Sequence, residues 1–231
     1  KLEKFVVERR TKVLRDSGIK FVQNFDVGKD KTLYELQEQH DAILIATGVY
    51  KAREISLEGD ASKVIPALDF LIASNRKGLG DNVEAFDSGL LNAKGKNVVV
   101  IGGGDTAMDC VRTAIRQEAK SVKCLYRRDK ENMPGSAREV NNAEEEGVEF
   151  LWQSLPKKIE SDNNSNFLNC VKMKLSEPDS DGRRTPQEIA GSDFELETDL
   201  VIAALGFSPE NLPKMFEVEE LPVTKWGTVR V

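Results

Sequence analysis

The run Asn97-Val-Val-Val-Ile101, then Gly102-Gly103-Gly104-Asp105-Thr106-Ala107, then Met108-Asp-Cys-Val-Arg-Thr-Ala114 decides the fold. The apolar run over 97–101 predicts a buried strand, and three glycines in a row predict a tight turn. Residues 105–117 then carry the periodicity of a helix. Downstream, residues 121–126 read as a second strand and 136–146 as a charged helix closed by Gly147. A third strand follows over 148–152. Strand, helix, strand, helix, strand in that order predicts an α/β fold: a Rossmann-type parallel sheet of the dinucleotide-binding kind.

Upstream, residues 1–18 have helical spacing through Leu2, Phe5, Val6, Val13 and Leu14, with Gly18 as the stop. Residues 19–24 read as a short strand and 32–39 as a short helix. The run Asp41-Ala-Ile-Leu-Ile-Ala-Thr-Gly48 is apolar without alternation, which predicts a strand covered on both faces. Residues 49–95 form a crossover, with Pro66 opening a helix whose apolar face spans 67–74. After Pro156 the texture changes to short strands over 157–160, 168–175 and 194–197, with a polar loop over 176–191. An antiparallel β-meander packed on the Rossmann-type sheet fits that pattern. Asp199-Leu-Val-Ile-Ala-Ala-Leu-Gly206 then echoes the Asp41 to Gly48 run.

Strand before and helix after give the GxGxxA pattern its meaning. Gly102 makes the turn, Gly104 lets an anionic pyrophosphate reach the backbone, and Ala107 lets the helix pack close. The phosphates sit at the positive helix end near Asp105. The bland alternative is a glycine turn with no ligand. The nucleotide is chosen at the end of the second strand, where an acidic residue would hold a ribose 2′-hydroxyl. Here the strand ends Tyr126-Arg127-Arg128, and two guanidiniums suit a 2′-phosphate, so NADP(H) is expected over NAD(H). Asp129 leaves room for NAD; Lys130 and Arg138 add positive charge. A solvated charged turn is the competing reading. The turns Ala46-Thr47-Gly48 and Ala204-Leu205-Gly206 end the echoing strands in small residues, where backbone can run beneath a flat ring system.

The 231 residues, 39% hydrophobic and 31% charged, supply ample core for one large domain or one domain plus part of another. A net charge of -6 argues against a nucleic-acid partner. No apolar run approaches the roughly 18 residues of a membrane span, and no signal peptide opens the chain, so a cytoplasmic protein is expected. Cys110, Cys124 and Cys170 are scattered, with no CxxC pair, so no metal or iron–sulfur site is expected within the chain. Cys110 and Cys124 read as small core residues and His40 as a surface residue. No catalytic residue stands out: Asp105, Asp109 and Glu139 read as helix-terminal or surface groups. Hydride chemistry fits that absence, because there the cofactors supply the reactivity.

The stretch from Val100 to Ala114 resembles the NADPH fingerprint of the glutamate synthase small (beta) subunit family, in the pyridine nucleotide-disulphide oxidoreductase-like superfamily. Tyr126-Arg-Arg-Asp129, Asn132-Met-Pro-Gly-Ser136, Arg138-Glu-Val140 and Glu145-Glu-Gly-Val-Glu-Phe150 carry the same likeness. The resemblance implies an NADPH-dependent oxidoreductase passing hydride to FAD. Electrons then continue through iron–sulfur clusters outside this chain to a large subunit that makes glutamate. It implies that Gly102, Gly104, Asp105, Thr106 and Ala107 hold the pyrophosphate, that Arg127 and Arg128 hold the 2′-phosphate, and that Ala204, Leu205 and Gly206 lie beside the nicotinamide; Gly103 and Arg138 complete the expected cofactor-binding set. Ala46, Thr47 and Gly48 would belong to the flavin side.

The family's cysteine-rich region, first FAD glycine turn and late Gly-Asp turn are not in this sequence. The start at Lys1 and the strand-like end at Val231 suggest a piece of a longer protein. The expected organisation is therefore a partial FAD-type Rossmann domain (1–57), a crossover (58–95), an NADP(H)-binding domain with its meander (96–206) and a return toward the FAD domain (207–231). Such a piece is expected to hold FAD poorly and to be inactive alone. Two other readings stay open: a ferredoxin-linked or dihydropyrimidine-dehydrogenase-like relative, and a non-catalytic dinucleotide-binding interaction module. A homo-oligomer is not decided by the sequence.

Overall fold

The computed structural model describes residues 3–162, 165–179 and 184–230. Expectations for Leu2, for Val231 and for positions 180–183 of the polar loop lie outside these residues. The chain divides into two compact units, one of residues 1–52 and 207–231 and a larger one of residues 53–206.

The smaller unit begins with α1 (Lys4–Asp16), α2 (Leu33–Gln39) and β1 (Lys51–Ala52). Thr32 caps α2 by accepting from the Glu35 amide while the Glu35 carboxylate accepts from the Thr32 amide, so two amides the helix leaves open are satisfied. The larger unit contains β2 (Glu58–Gly59), β3 (Val64–Pro66), α3 (Ala67–Gly78), α4 (Glu84–Asp87), β4 (Asn97–Ile101) and α5 (Asp105–Arg116). It continues with β5 (Ser121–Leu125), α6 (Ala137–Glu145), β6 (Glu149–Leu151), β7 (Ser154–Asp162), β8 (Ser165–Leu175), β9 (Pro186–Thr198) and β10 (Leu200–Ala203). The chain then returns to the smaller unit as β11 (Phe207–Ser208), antiparallel to β1, and α7 (Leu212–Met215). Leu33, Phe216 and Val218 form that unit's small core.

In the larger unit the sheet order is β3-β10-β4-β5-β6, every pair parallel. The α/β expectation holds, and the crossover contributes an edge strand, β3. Consecutive residues of β4 point to opposite faces. Val98 and Val100 join Phe70, Met108, Val111 and Ala143 of the helices in one core. Val99 and Ile101 join Ile159, Leu168, Cys170 and Leu196 of the second sheet in another. That second sheet, β2-β7-β8-β9, is the meander, its last three strands antiparallel. The unbroken apolar character of 97–101 is thus explained: this strand is buried on both faces. Each fully buried Val or Ile contributes about 1.5–3 kcal/mol of transfer free energy. The meander strands run longer than expected, and β9 reaches into the span read as loop.

Two expected strands are corrected. Residues 19–24 and 41–48 have no ladder partner among the described residues and form no strand. A strand exists only through hydrogen bonds to a neighbour, and apolar character alone does not supply one. Leu44, expected inside, is 89% exposed. Cys110 and Cys124 are buried as expected, Cys170 is buried as well, and His40 lies exposed at the end of α2. No helix among the described residues is long and apolar enough to cross a membrane.

Candidate functional site

A cleft of about 660 Å³ opens in the larger unit at the carboxyl ends of β4, β5 and β10. Open α/β sheets bind ligands at that end. Its floor is the glycine turn. Gly102 has φ +146°, and a Cβ there would lie 2.2 Å from the Ala204 carbonyl oxygen. A Cβ on Gly103 would lie 2.4 Å from the Tyr126 ring. Gly104 is the reverse case, since a Cβ would meet nothing within 4 Å. The first two glycines are therefore set by packing and the third by access, as the first turn of α5 opens toward the cleft. Ala107, fully buried, packs α5 against the sheet and does not reach the cleft.

Backbone bonds brace this floor. The Ala204 amide donates to the Ile101 carbonyl at 2.8 Å, and the Gly102 amide donates to the Leu125 carbonyl at 3.0 Å. Beneath the turn the Cys124 thiol donates to the Gly102 carbonyl at 3.4 Å, and burial pushes that thiol up to about 12. It is therefore a neutral support.

Arg127 and Arg128 follow β5 and line the cleft. A second cavity of about 520 Å³ lies beyond them, against Met173, Thr185, Pro186 and Glu188 of the meander, and it shares both arginines and Leu155 with the first. The arginine pair thus stands where the two cavities meet. Arg128 has a buried Nε–H with no hydrogen-bond partner. A buried charged donor left open is costly unless something supplies an acceptor. Asp129 is engaged, since one carboxylate oxygen accepts from the Asn132 amide at 2.9 Å and from the Asn132 side chain at 2.7 Å. Lys130 is paired with Glu144. Arg138 is exposed and does not line either cavity.

Ala204, Leu205 and Gly206 line the end of the larger cleft beside Arg53, Glu54, Ile55 and Ser56. Gly206 accepts from the Arg53 amide at 3.1 Å. Asp105 is absent from the lining although Gly104 and Thr106 are present. In the smaller unit, Ala46, Thr47 and Gly48 line a separate cavity of about 160 Å³ with Pro209, Glu210 and Thr228.

Sequence reading overlooked residues 53–56, Tyr126 and Pro134 as parts of the cleft. Tyr126 lies over Gly103, and its hydroxyl donates to the Asn132 carbonyl at 3.0 Å. Its pKa is raised by burial, with the positive charges of Arg128 and Arg127 opposing. The Tyr-Arg-Arg and Met-Pro-Gly-Ser runs were visible, but nothing in them says which side chains turn inward. Glu139, read as a surface group, is half-buried and pairs with Arg112.

A family model described as pyridine nucleotide-disulphide oxidoreductase matches residues 3–231. The chain is 58% identical over its full length to the glutamate synthase [NADPH] small chain of Azospirillum brasilense, spanning 48% of that protein. It is 46% identical to the same-named chain of Escherichia coli (strain K12), where 92% of this chain matches 45% of that protein. The chain thus spans about half the length of these curated relatives. Among solved structures, a His57Gln mutant of FprA from Mycobacterium tuberculosis aligns with TM-score 0.73 at 18% identity, covering 99% of this chain and 62% of that one. That likeness establishes the fold.

Proposed function

The chain belongs to the pyridine nucleotide-disulphide oxidoreductase family, and from that premise we propose that residues 53–206 bind NADPH along the cleft. The bound nucleotide would serve a flavoprotein of the glutamate synthase small-chain type. The observation that carries this reading is the Arg128 Nε–H, buried and unpartnered beside an exposed Arg127, at the far end of a cleft whose floor is an open glycine turn. A dinucleotide with a 2′-phosphate has an anion for each end. Its pyrophosphate would sit over Gly102, Gly103, Gly104 and Thr106, at the first turn of α5, where a helix leaves amide donors open. Its 2′-phosphate meets Arg127 and Arg128, and its nicotinamide reaches Ala204, Leu205 and Gly206.

A nucleotide so bound supplies the hydride, and a flavin supplies the acceptor. The protein's part is placement. Buried β4 and β10 fix the floor, and Gly104 keeps side chains out of the phosphate path. No acid or base is required of the chain. The smaller unit, with Ala46, Thr47 and Gly48, belongs on this reading to the flavin domain of the complete protein. Onward transfer through iron–sulfur centres to a large subunit, for glutamate synthesis in the cytoplasm, rests on the 58% identity to the Azospirillum brasilense small chain.

Calorimetric titration with NADP⁺ and NAD⁺ tests the reading, beside a variant with Arg127→Ala and Arg128→Ala combined. NADP⁺ should bind more tightly, and the gap should shrink by about 1.5–3 kcal/mol for each charged hydrogen bond lost. Equal binding of the two nucleotides by the unaltered protein would refute the arginine assignment. Failure of both to bind would refute the cleft as a dinucleotide site in this chain.

A further inference from the structure

The first turn of α5 poses an electrostatic puzzle if the nucleotide reading above holds, and this inference rests on that reading. A carboxylate, Asp105, stands at the helix end where the phosphates of the ligand should lie, and two anions in one place repel. The structure shows where that carboxylate goes. Its Oδ1 accepts from the Ser136 amide at 2.8 Å. One residue earlier, the Gly135 amide donates to the Gly103 carbonyl at 2.9 Å. The approach is close enough that a Cβ on Gly135 would lie 3.0 Å from that same oxygen. At the other end of the loop, the Tyr126 hydroxyl donates to the Asn132 carbonyl at 3.0 Å. Asp129 holds the Asn132 amide and side chain, as described.

These bonds fasten both ends of the 132–136 loop. Asn132 is tied to the end of β5, and Gly135 and Ser136 are tied to the glycine turn and to the first residue of α5. Between them Pro134 enters the cleft lining, alongside Gly103, Gly104 and Tyr126. We propose that Asp105 is a positioning residue: its carboxylate latches the 132–136 loop onto the glycine turn, which fixes Pro134 and Tyr126 as one wall of the nucleotide cleft. Asp105 is then no ligand of the nucleotide. This reassigns the residue that the fingerprint alone placed on the pyrophosphate, and it accounts for the presence of Gly104 and Thr106 in the lining without Asp105 between them.

The latch acts on the half of the ligand that NADP⁺ and NAD⁺ share. The arginines are held separately: the Gln153 amide donates to the Arg128 carbonyl and the Ser154 amide to the Tyr126 carbonyl, each at 3.0 Å. Loosening the loop should therefore weaken both nucleotides by the same factor. Loss of an arginine should weaken NADP⁺ selectively.

The test uses Asp105→Ala, Asp105→Asn and Ser136→Pro. Proline suits the φ of -57° at Ser136, removes the donated N–H and sets its ring carbon where the Asp105 oxygen lies, so it breaks the latch from the loop side. Titration with NADP⁺ and NAD⁺ should show Asp105→Ala and Ser136→Pro each weakening both nucleotides about tenfold, the worth of one charge-assisted bond. Asp105→Asn keeps an accepting oxygen and should stay within about twofold of the unaltered protein. The Asp105→Ala and Ser136→Pro double variant should be no worse than either alone, because both cut one bond. Tighter binding by Asp105→Ala would mean that its charge, and not its latch, dominates, and would overturn the proposal. Equal losses in Asp105→Ala and Asp105→Asn, or additive losses in the double variant, would overturn it too. In each of these failures the unaltered protein still binds NADP⁺, so the nucleotide reading survives. Absence of binding by the unaltered protein would refute both.

Discussion

Gly102 and Ala204 meet backbone to backbone: a Cβ on Gly102 would fall 2.2 Å from the Ala204 carbonyl oxygen. The contact joins the ends of β4 and β10, the two strands whose turns bound the cleft floor. Gly102→Ala must push that carbonyl away and adopt a φ that side chains disfavour, costing about 1–3 kcal/mol or more. Gly104 has an extended backbone, φ -93° and ψ 177°, and open space where a Cβ would go. Gly104→Ala should therefore leave the melting temperature within about a degree or two, since little packing changes, yet cost NADP⁺ about tenfold or more in affinity. Thermal denaturation and calorimetry on the two variants check the pair. Equal melting losses would show that both glycines serve packing alone.

The meander is the second wall of the core. Leu168 is fully buried against the face of the parallel sheet that carries Val99 and Ile101. Leu168→Ala should cost about 2–5 kcal/mol in chemical denaturation, the usual range for a buried leucine. Leu44→Ala, at a side chain 89% exposed, should stay within about 0.5 kcal/mol. A loss of under 1 kcal/mol at Leu168 would mean that the meander can detach while the parallel sheet stands.

These two leucines also mark how far the sequence could be read. Around Leu168 local pattern and fold agree, because the strand finds partners on both sides. The fingerprint, the helix after it and the β-α-β-α-β order were legible for the same reason: each is fixed within a few residues by spacing and glycine chemistry. Leu44 sits in a run of equal apolar strength, and the pattern cannot say whether a partner strand is present. Arg127 and Arg128 were legible as a pair of charges. The unpaired Nε–H of Arg128 and the turn of Asp105 toward Ser136 were not, because both depend on residues distant in sequence.

Glu146 predicts an acid limb. Burial favours its neutral form, but hydrogen bonds from Arg112 and Arg116 and their charges outweigh it and hold the carboxyl below its ordinary value of 4.5. The bonded distances are 2.7 Å to Arg112 and 2.8 Å to Arg116, and Arg112 also pairs with Glu139. With the folded value depressed, the stability this group adds is present above 4.5 and disappears as pH falls through the folded value. Glu146→Gln should lower stability near neutrality by about 1 kcal/mol, the contribution of a charged bond discounted for partial exposure. It should also flatten the fall below pH 4.5. Denaturant midpoints measured across that range decide it; an unchanged acid limb would mean that other carboxylates set it.

Arg128 sets stability against binding. Its buried Nε–H lacks a partner, and such a group costs the ligand-free protein about 1–3 kcal/mol. Arg128→Met keeps most of the stem and removes the orphan donor with its charge. The ligand-free variant should therefore melt at the same temperature or higher, which is uncommon for a change at a half-buried position. NADP⁺ affinity should fall about tenfold or more while NAD⁺ changes by less than about twofold, because only the former brings an acceptor for that donor. Arg127→Met should do less, since the exposed Arg127 side chain must give up more freedom to hold the same phosphate. Should Arg128→Met lower the melting temperature by several degrees and spare NADP⁺, Arg128 would be a structural cation satisfied by water, and the 2′-phosphate would have to be held by Arg127 alone.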